Sequence, residues 1–223
     1  MQSNKKDLVE LARGTVIAVD GLTASGKGTI AKALAEHFSL PYLDTGLLYR
    51  AVGYQTVHNN GDPDNPSDSL IGCQFKPALL NSEILRSEKV AGYASRVSRH
   101  KSVREFLLRH QRQFAQNEEG SVIDGRDIGT VVVPNAEVKL FIIASLEERA
   151  KRRWLEMKDR SIETSLADIT AYIETRDTRD ENRAISPSVA APDAFILDTT
   201  SLAKSETIEM AINIVVQKMM PDP

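Results

Sequence analysis

Apolar and polar positions along the chain follow two alternating periods. Short apolar runs bounded by polar residues or glycine predict buried strands over Thr15–Asp20, Pro41–Asp44, Ser121–Asp124, Val138–Ala144 and Ala194–Asp198. Helical periodicity lies between them, and Ser205–Met219 also brings Ile208, Ala211 and Val215 onto one face. Alternating strands and helices predict an α/β fold built around a mostly parallel sheet.

Polar residues follow the predicted strands, at the edge where a parallel sheet gathers its ligands. Four strands end in Asp20-Gly21, Asp44-Thr45, Asp124-Gly125 and Asp198-Thr199. The remaining strand is followed by Ser145, three residues before Glu148. Because that spacing is typical of a helix N-cap, we interpret Ser145 as structural and look for chemistry at the other strand ends.

The first predicted strand runs into a glycine-bounded loop that carries a lysine. The loop comprises Gly21, Leu22, Thr23, Ala24, Ser25, Gly26, Lys27, Gly28 and Thr29. It follows the phosphate-binding pattern G-x-x-x-x-G-K-[ST], except that Gly28 occupies the hydroxyl position. Backbone N–H groups, Lys27 and a helix predicted from Thr29 to about His37 would converge on phosphate. Magnesium would then be held through water, phosphate or another side chain. The alternative is an ordinary glycine-rich turn.

Composition limits the classes of protein that fit. The chain has 223 residues, of which 41% are hydrophobic, enough for a sizeable core. A formal net charge of -3 argues against a general nucleic-acid binder. Cys73 is the single cysteine, which excludes an intramolecular disulfide and fits a reducing compartment. No long apolar run or signal-peptide pattern is present, so we expect a cytoplasmic monomer with no membrane partner.

Turn-forming residues interrupt the pattern over Asn59–Ser67, where we predict no regular element. Two helical patterns follow, at about Ser87–Ser98 and Ser102–Gln116. The sequence therefore predicts a core of residues 1–58 and 120–223 with an inserted subdomain over residues 59–119. Inserted subdomains of α/β enzymes commonly close over ligands. A helical decoration without a ligand is the alternative.

Arginines cluster on two later helical patterns. Arg176, Asp180 and Arg183 share one face at i, i+4 and i+7. A second cluster comprises Arg149, Arg152 and Arg153. A solvated, salt-bridged face is the alternative, but the guanidinium fork is suited to phosphate.

A polar connection, residues 157–164, separates the two arginine clusters. Ile162 is the only apolar anchor that the pattern indicates there. We therefore predict a hinged lid over about residues 152–164.

Together these segments resemble the bacterial cytidylate kinases, a family of P-loop nucleoside monophosphate kinases. Five motifs carry the resemblance over nearly the whole chain: Gly21–Thr29, Tyr42–Arg50, Asp124–Pro134, Ala144–Arg153, and Arg176–Arg183 with Leu197–Thr200. The resemblance implies a P-loop kinase fold with a five-stranded parallel sheet flanked by helices, a short lid and an inserted monophosphate-binding subdomain. It also implies ATP with Mg²⁺ as donor and CMP, with dCMP, as acceptor.

The resemblance also implies roles for individual residues. The loop Gly21–Thr29 would hold ATP, and four cations would neutralise the transferred phosphoryl group: Lys27, Arg149, Arg152 and Arg153. The acceptor residues would be Thr45, Arg50, Ser95, Arg104, Gly125, Arg126, Asp127, Arg176, Asp180 and Arg183. Among these, Arg50, Arg126, Arg176 and Arg183 would surround the acceptor phosphate. Asp180 would bond the ribose hydroxyls, and Ser95, Arg104 and Asp127 would read the cytosine edge. No protein side chain is assigned directly to the metal.

The chain departs from the family pattern at two places. Leu22 and Ala24 stand where the loop of the family has Pro and Gly, and Ala24 fits without strain only if its φ is negative. The inserted subdomain of the family carries a small antiparallel sheet, for which Gln74–Lys76 and Ala78–Leu80 are the only candidate strands.

Two other functions are compatible with parts of the pattern. A kinase for adenylate or for another small molecule would keep the loop and lid but need a different acceptor pocket. A nucleotide-binding switch without transferase activity would be expected to lose Lys27 or the arginines, and a guanine-specific switch would need an N-K-x-D element. The chain retains Lys27 and the arginines, and it lacks an N-K-x-D element.

Overall fold

The computed structural model describes residues 5–220 of the chain. These residues form two compact units. The core unit comprises the described chain up to residue 43 and from residue 115 onward, and the helical unit comprises residues 44–114.

The core unit is built on a five-stranded sheet. Its strands are β1 (Val16–Gly21), β2 (Tyr42–Asp44), β3 (Ser121–Asp124), β4 (Val138–Ile143) and β5 (Phe195–Asp198). The strand order is β2-β3-β1-β4-β5, and β1 pairs in parallel with β3 and β4, as β4 does with β5. All five predicted strands are confirmed, each to within one residue at either end.

Helices accompany this sheet in the core unit. They are α1 (Lys5–Leu11), α2 (Lys27–Phe38), α7 (Leu146–Asp159), α8 (Leu166–Glu181) and α9 (Lys204–Met219). Ile30, Leu34 and Phe38 of α2 pack with the buried strand residues and with Ala211 and Val215 of α9. The predicted α/β fold and the predicted C-terminal helix are therefore confirmed. Among residues 5–220, no helix combines the length and the apolar composition needed to cross a bilayer.

The helical unit contains α3 (Thr45–His58), α4 (Pro66–Gly72), α5 (Glu88–Val97) and α6 (Lys101–Ala115, whose last residue returns to the core unit). The two predicted helices correspond to α5 and α6. Within residues 44–114, all of which the structure describes, the first residue, Asp44, is also the last of β2 and no other strand is present. Ala78–Leu80 lies instead in a 3₁₀ helix, Pro77–Asn81, because Pro77 fixes φ and cannot donate to a sheet. The expected antiparallel sheet is therefore absent from this unit.

The turn-rich segment after α3 is shorter than predicted. The amides of Ser67 and Asp68 donate to the Asn65 side chain, and α4 begins at Pro66. Asn65 thus acts as a helix N-cap, and Pro66 at the first helical position needs no hydrogen-bond acceptor. The prediction of no regular element is wrong for Pro66 and Ser67.

Helix α7 extends further into the predicted lid than its polar sequence indicates. It continues to Asp159, and Met157 is 2% exposed in a cluster with Ala150, Ile169 and Ile173. Ile162 is 43% exposed. The apolar anchor is therefore Met157, and the connection between α7 and α8 is reduced to residues 160–165. The prediction of Ile162 as the apolar anchor is wrong because α7 continues past the start of the polar segment and buries Met157.

We predict that Met157→Ala destabilises the packing of α7 against α8. Removing a buried methionine side chain typically costs about 2 to 5 kcal/mol. Leu155→Ala on the same helix is the control because Leu155 is 44% exposed, and its effect should stay within about 0.5 kcal/mol. Chemical denaturation of both variants measures the difference, and equal effects would contradict the burial of Met157.

Candidate active site

The loop between β1 and α2 changes the chain direction within a few residues. Gly21 is necessary because a Cβ there would lie 2.3 Å from the Ile142 carbonyl oxygen of β4. Gly26 has φ 89° and forms the N-cap, so α2 begins at Lys27 and not at the predicted Thr29. The first amides of a helix lack intrahelical acceptors and favour an anion. Lys27 and Gly28 stand in this first turn, as a phosphate site requires.

Ala24 adopts a conformation that favours glycine. Its φ is +59°, so the condition for an unstrained alanine is not met. A left-handed alanine costs about 1 to 2 kcal/mol. Its methyl group packs partly against the cluster around Met157 and Ile173, which offsets part of that cost. The loop is therefore held in shape by its surroundings.

Three arginines surround a single carboxylate in the core unit. Asp180 is 5% exposed. Its carboxylate oxygens lie 3.1 Å from Arg126 Nε, 4.0 Å from Arg176 Nε and 4.0 Å from Arg183 Nη1. Burial raises the pKa of Asp180, but the three guanidinium groups outweigh it and the pKa is lowered. The four side chains keep a net positive charge, which suits an anionic ligand.

The predicted helical face is only partly correct. Arg176 and Asp180 belong to α8, but the helix ends at Glu181 and Asn182 is its C-cap. Arg183 lies beyond the helix. Its Nε donates to the Asp180 carbonyl oxygen at 3.2 Å, so the turn after the helix still brings it to Asp180.

The segment after β3 carries the other predicted acceptor residues of the core unit. The Gly125 amide donates to the Val19 carbonyl oxygen at 3.0 Å, and Arg126 Nη1 donates to the Gly125 carbonyl oxygen at 3.2 Å. Asp127 is 6% exposed and precedes a π-helical turn, Ile128–Val132. The backbone of this segment is thus fixed against β1, which holds the side chains of Arg126 and Asp127 in place.

Asp20, at the end of β1, anchors the same segment. Its carboxylate accepts from the Ile128 and Gly129 amides at 2.9 and 2.8 Å. Burial and, to a smaller extent, the nearby Asp127 raise the pKa of Asp20 to about 6, against the two hydrogen bonds and Arg126. The sequence indicated a polar strand end here but not that its carboxyl would be buried.

The helical unit carries the other four predicted acceptor residues. Thr45 is 3% exposed at the start of α3, and Arg50 Nη1 donates to the Leu85 carbonyl oxygen at 2.6 Å. Arg104 Nη1 donates to the Ser98 carbonyl oxygen at 3.2 Å. The Ser98 hydroxyl donates in turn to the Ser95 carbonyl oxygen at 3.1 Å. Ser95 and Arg104 are therefore linked through Ser98. Arg104 also lies over the Tyr49 ring, 5.4 Å from its centroid.

The three arginines of α7 are engaged with the protein. Arg149 is buried and donates to the carbonyl oxygens of Thr23 and Ala144 and to Asp177. Arg152 donates to Glu148 and to Thr199. Arg153 donates to Glu156. Arg149 and Arg152 thus hold the surroundings of the loop, and a role toward a transferred phosphoryl group stays a prediction for all three.

Asp124 ends β3 and is a site residue that the sequence motifs did not indicate. A Cβ at Gly28 would lie 3.2 Å from Asp124 Oδ2, and Tyr42 Oη donates to Asp124 Oδ1 at 3.3 Å. Glycine at position 28 therefore leaves room for a carboxylate beside the first turn of α2. A strand-end aspartate next to a phosphate loop is the signal that could have identified it.

The oxygen ligands near the loop suit magnesium. Within residues 5–220 there is no cluster of three or more His, Cys, Asp or Glu side chains able to enclose a metal ion. Mg²⁺ commonly keeps water and binds through one or two carboxylates plus substrate phosphates. Asp124 supplies one carboxylate, so the residues present fit a magnesium ion that arrives with a nucleotide.

Two further residues, Asp177 and Thr199, support the loop although the sequence did not indicate this role. The Thr23 amide donates to Asp177 Oδ1 at 3.0 Å. The Thr199 hydroxyl lies within donor distance of two carbonyl oxygens, that of Ile143 at 3.1 Å and that of Ser25 at 3.3 Å. Asp177 is 8% exposed, so the alternative of a solvated face does not hold for this residue. The sequence could show that it lies on α8, but not which buried backbone group it meets.

The parallel sheet, the lysine-bearing loop and the arginine cluster define a P-loop kinase. A family model described as cytidylate kinase matches residues 17–217. The chain belongs to the cytidylate kinase family and is therefore a nucleoside monophosphate kinase.

Individual relatives agree with this assignment. A cytidylate kinase of Cereibacter sphaeroides strain KD131 is 49% identical, over 88% of this chain and 91% of that protein. One from Acidiphilium cryptum is 46% identical, over 92% and 97%. A crystal structure of an uncharacterized protein from Eubacterium ventriosum aligns with a TM-score of 0.52 and 16% identity, covering 93% of this chain and 98% of that one. This last likeness concerns the fold alone.

We predict that the buried carboxyl of Asp20 makes stability depend on pH. Its pKa rises from 3.8 in the unfolded chain to about 6. The folded state thus holds its proton more tightly, and the free energy of unfolding falls as the pH rises from about 4 to 6. At roughly 1.4 kcal/mol per pKa unit, the loss is on the order of 3 kcal/mol.

The comparison is between the wild type and Asp20→Asn, which cannot ionise. Denaturation from pH 4 to 8 should show the variant gaining stability relative to the wild type up to about pH 6, with a constant difference above it. A difference that is constant over the whole range would contradict the raised pKa.

Proposed function

We propose that the chain transfers the terminal phosphoryl group of ATP to CMP, giving ADP and CDP, and that dCMP is a second acceptor. The observation that carries the proposal is the Asp180 cluster in the same unit as the phosphate loop. The loop offers backbone amides and the positive charge of Lys27. The Asp180 cluster offers three positive charges, those of Arg126, Arg176 and Arg183, against one negative charge. Two anionic binding sites are what a phosphoryl donor and a phosphorylated acceptor require.

The loop binds the donor. Amides in the first turn of α2 donate to phosphate oxygens, and Lys27 places its charge at the group that moves. Phosphoryl transfer needs little covalent help, so positioning and neutralisation of charge supply most of the catalysis. Asp124 would help to hold a magnesium ion that arrives with the nucleotide, and the ion would supply charge neutralisation at the donor phosphates.

The arginine cluster binds the phosphate of the acceptor. Asp180 holds Arg126, Arg176 and Arg183 together before the ligand arrives, and its own oxygens accept from ribose hydroxyls. Arg50 is a fourth cation assigned to the acceptor phosphate, and Thr45 is assigned a hydroxyl contact. Because guanidinium groups bind phosphate through paired donors, the cluster orients the acceptor as well as neutralising it.

Selection of the base is assigned to three side chains. Asp127 in the core unit can accept from the exocyclic amine of cytosine, and Ser95 and Arg104 in the helical unit can donate to its carbonyl oxygen and ring nitrogen. A serine, an arginine and an aspartate together supply donors and acceptors for such an edge. Because no antiparallel sheet is present in residues 44–114, the part of this recognition that the helical unit supplies comes from α5 and α6.

We predict that Lys27→Ala nearly abolishes transfer while the chain stays folded. Losing one preorganised electrostatic contact typically costs about 3 to 4 kcal/mol, or two to three decades in rate. Lys32→Ala is the matched control, because Lys32 is exposed on the same helix and should keep full turnover.

The assay couples ADP formation to a readout, with ATP, Mg²⁺ and a panel of monophosphates. Turnover above a tenth of the wild type in a folded Lys27→Ala would remove the loop as donor site. A wild type that prefers AMP would contradict CMP as the acceptor, and one that binds ATP without transfer would favour a nucleotide-binding module. Size-exclusion chromatography of the same sample tests the predicted monomer.

We predict that Asp127→Ala narrows the preference for CMP over UMP. The variant leaves the amine of cytosine without its acceptor, and an unpaired polar group costs about 1 to 3 kcal/mol. The ratio of kcat/KM for CMP to that for UMP should fall by one to two decades, whereas an unchanged ratio would remove Asp127 from base recognition.

A further inference from the structure

Every polar group of Thr23 in the phosphate loop is bonded to a side chain from elsewhere in the core unit. Its amide donates to Asp177 Oδ1 at 3.0 Å, and its carbonyl oxygen accepts from Arg149 Nη1 at 3.0 Å. Its hydroxyl accepts from Arg126 Nη2 at 3.2 Å. Thr23 is 7% exposed. Its amide is therefore committed to the protein and cannot serve a phosphate.

Asp177 and Arg149 form one buried unit behind the loop. Arg149 Nη1 also donates to Asp177 Oδ2, and the two residues are 6% and 8% exposed. A buried ion pair gains from satisfied hydrogen bonds on both partners. Here the carboxylate accepts from the Thr23 amide and the guanidinium donates to the Thr23 carbonyl oxygen, so both flanking peptides of Thr23 are fixed.

The adjacent residue shows why this fixation matters. Ala24 is held at φ +59°, a conformation that persists only where the surroundings impose it. The peptide between Thr23 and Ala24 carries the carbonyl oxygen that Arg149 holds. Releasing that peptide would let Ala24 return toward negative φ and would reorient the amides that follow it in the loop.

We propose that Asp177 is a positioning residue for the donor loop, which acts through the Thr23 amide and through Arg149 and does not touch substrate. The proposal rests on the proposed function, because it concerns the same donor site. It assigns to α8 a role beyond carrying the acceptor cluster: one turn of this helix holds both Asp177, at the donor loop, and Asp180, at the arginines.

The test measures donor affinity in the full chain. Asp177→Ala removes both interactions, whereas Asp177→Asn keeps an oxygen for the Thr23 amide and loses the charge opposite Arg149. Glu174→Ala is the matched control because it removes an exposed acid from the same helix. Calorimetry gives the Kd for a non-hydrolysable ATP analogue with Mg²⁺, and steady-state kinetics give KM for ATP and for CMP.

We expect Asp177→Ala to raise the Kd of the analogue and the KM for ATP at least tenfold. The KM for CMP should stay within twofold of the wild-type value. Asp177→Asn should fall between this variant and the wild type, and Glu174→Ala should match the wild type. Should Asp177→Ala fail to fold, Asp177→Asn carries the test, with a threefold or greater rise in Kd expected.

A purely structural role gives a different result. A folded Asp177→Asn with a lower melting temperature but an unchanged Kd for the analogue would overturn the proposal, as would equal rises in KM for ATP and CMP. These outcomes leave the proposed function intact. A wild type that binds the analogue poorly and does not phosphorylate CMP would instead contradict the proposed function.

Discussion

A loop that wraps a phosphate directs its amides inward, so its remaining backbone groups need partners inside the protein. In this chain the partners are charged side chains on α7 and α8 and the hydroxyl of Thr199. Arg149 and Thr199 meet the carbonyl oxygens of Thr23 and Ser25. The loop conformation, including the left-handed Ala24, therefore depends on helices that lie more than a hundred residues away along the chain.

The same requirement explains why so many charged residues are buried. Asp20 ties the segment after β3 to the end of β1, and Arg126 extends from that segment to Asp180 and Thr23. Asp20, Thr23 and Arg126 belong to the carboxyl ends of β1 and β3 or to the segments that follow them, whereas Asp180 belongs to α8. Since burial of an ionised group is costly without partners, these contacts support one another, and Arg126 connects the phosphate loop with the Asp180 cluster.

Arginine serves two purposes here. Arg126, Arg176 and Arg183 share one carboxylate and keep positive charge in excess, which a phosphate can neutralise. Arg149 instead donates to the Thr23 carbonyl oxygen of the loop, and Arg152 donates to Thr199, whose hydroxyl lies near the loop. Residue type and clustering are the same in both groups, so the sequence could not show which arginines share a carboxylate and which support the loop; only their partners in space distinguish the two groups.

The sequence by itself determined the sheet, the phosphate loop and the proximity of Arg176 to Asp180, because apolar periods, glycine spacing and i, i+4 positions are local properties of the chain. It could not determine that α7 continues through Met157, that Ala24 has a positive φ or that residues 44–114 contribute no strand beyond Asp44. Nor could it identify Asp177, Asp20 and Asp124 as supports of the site. Those features depend on which distant group meets each side chain, and only the tertiary structure decides the partners of a buried charge.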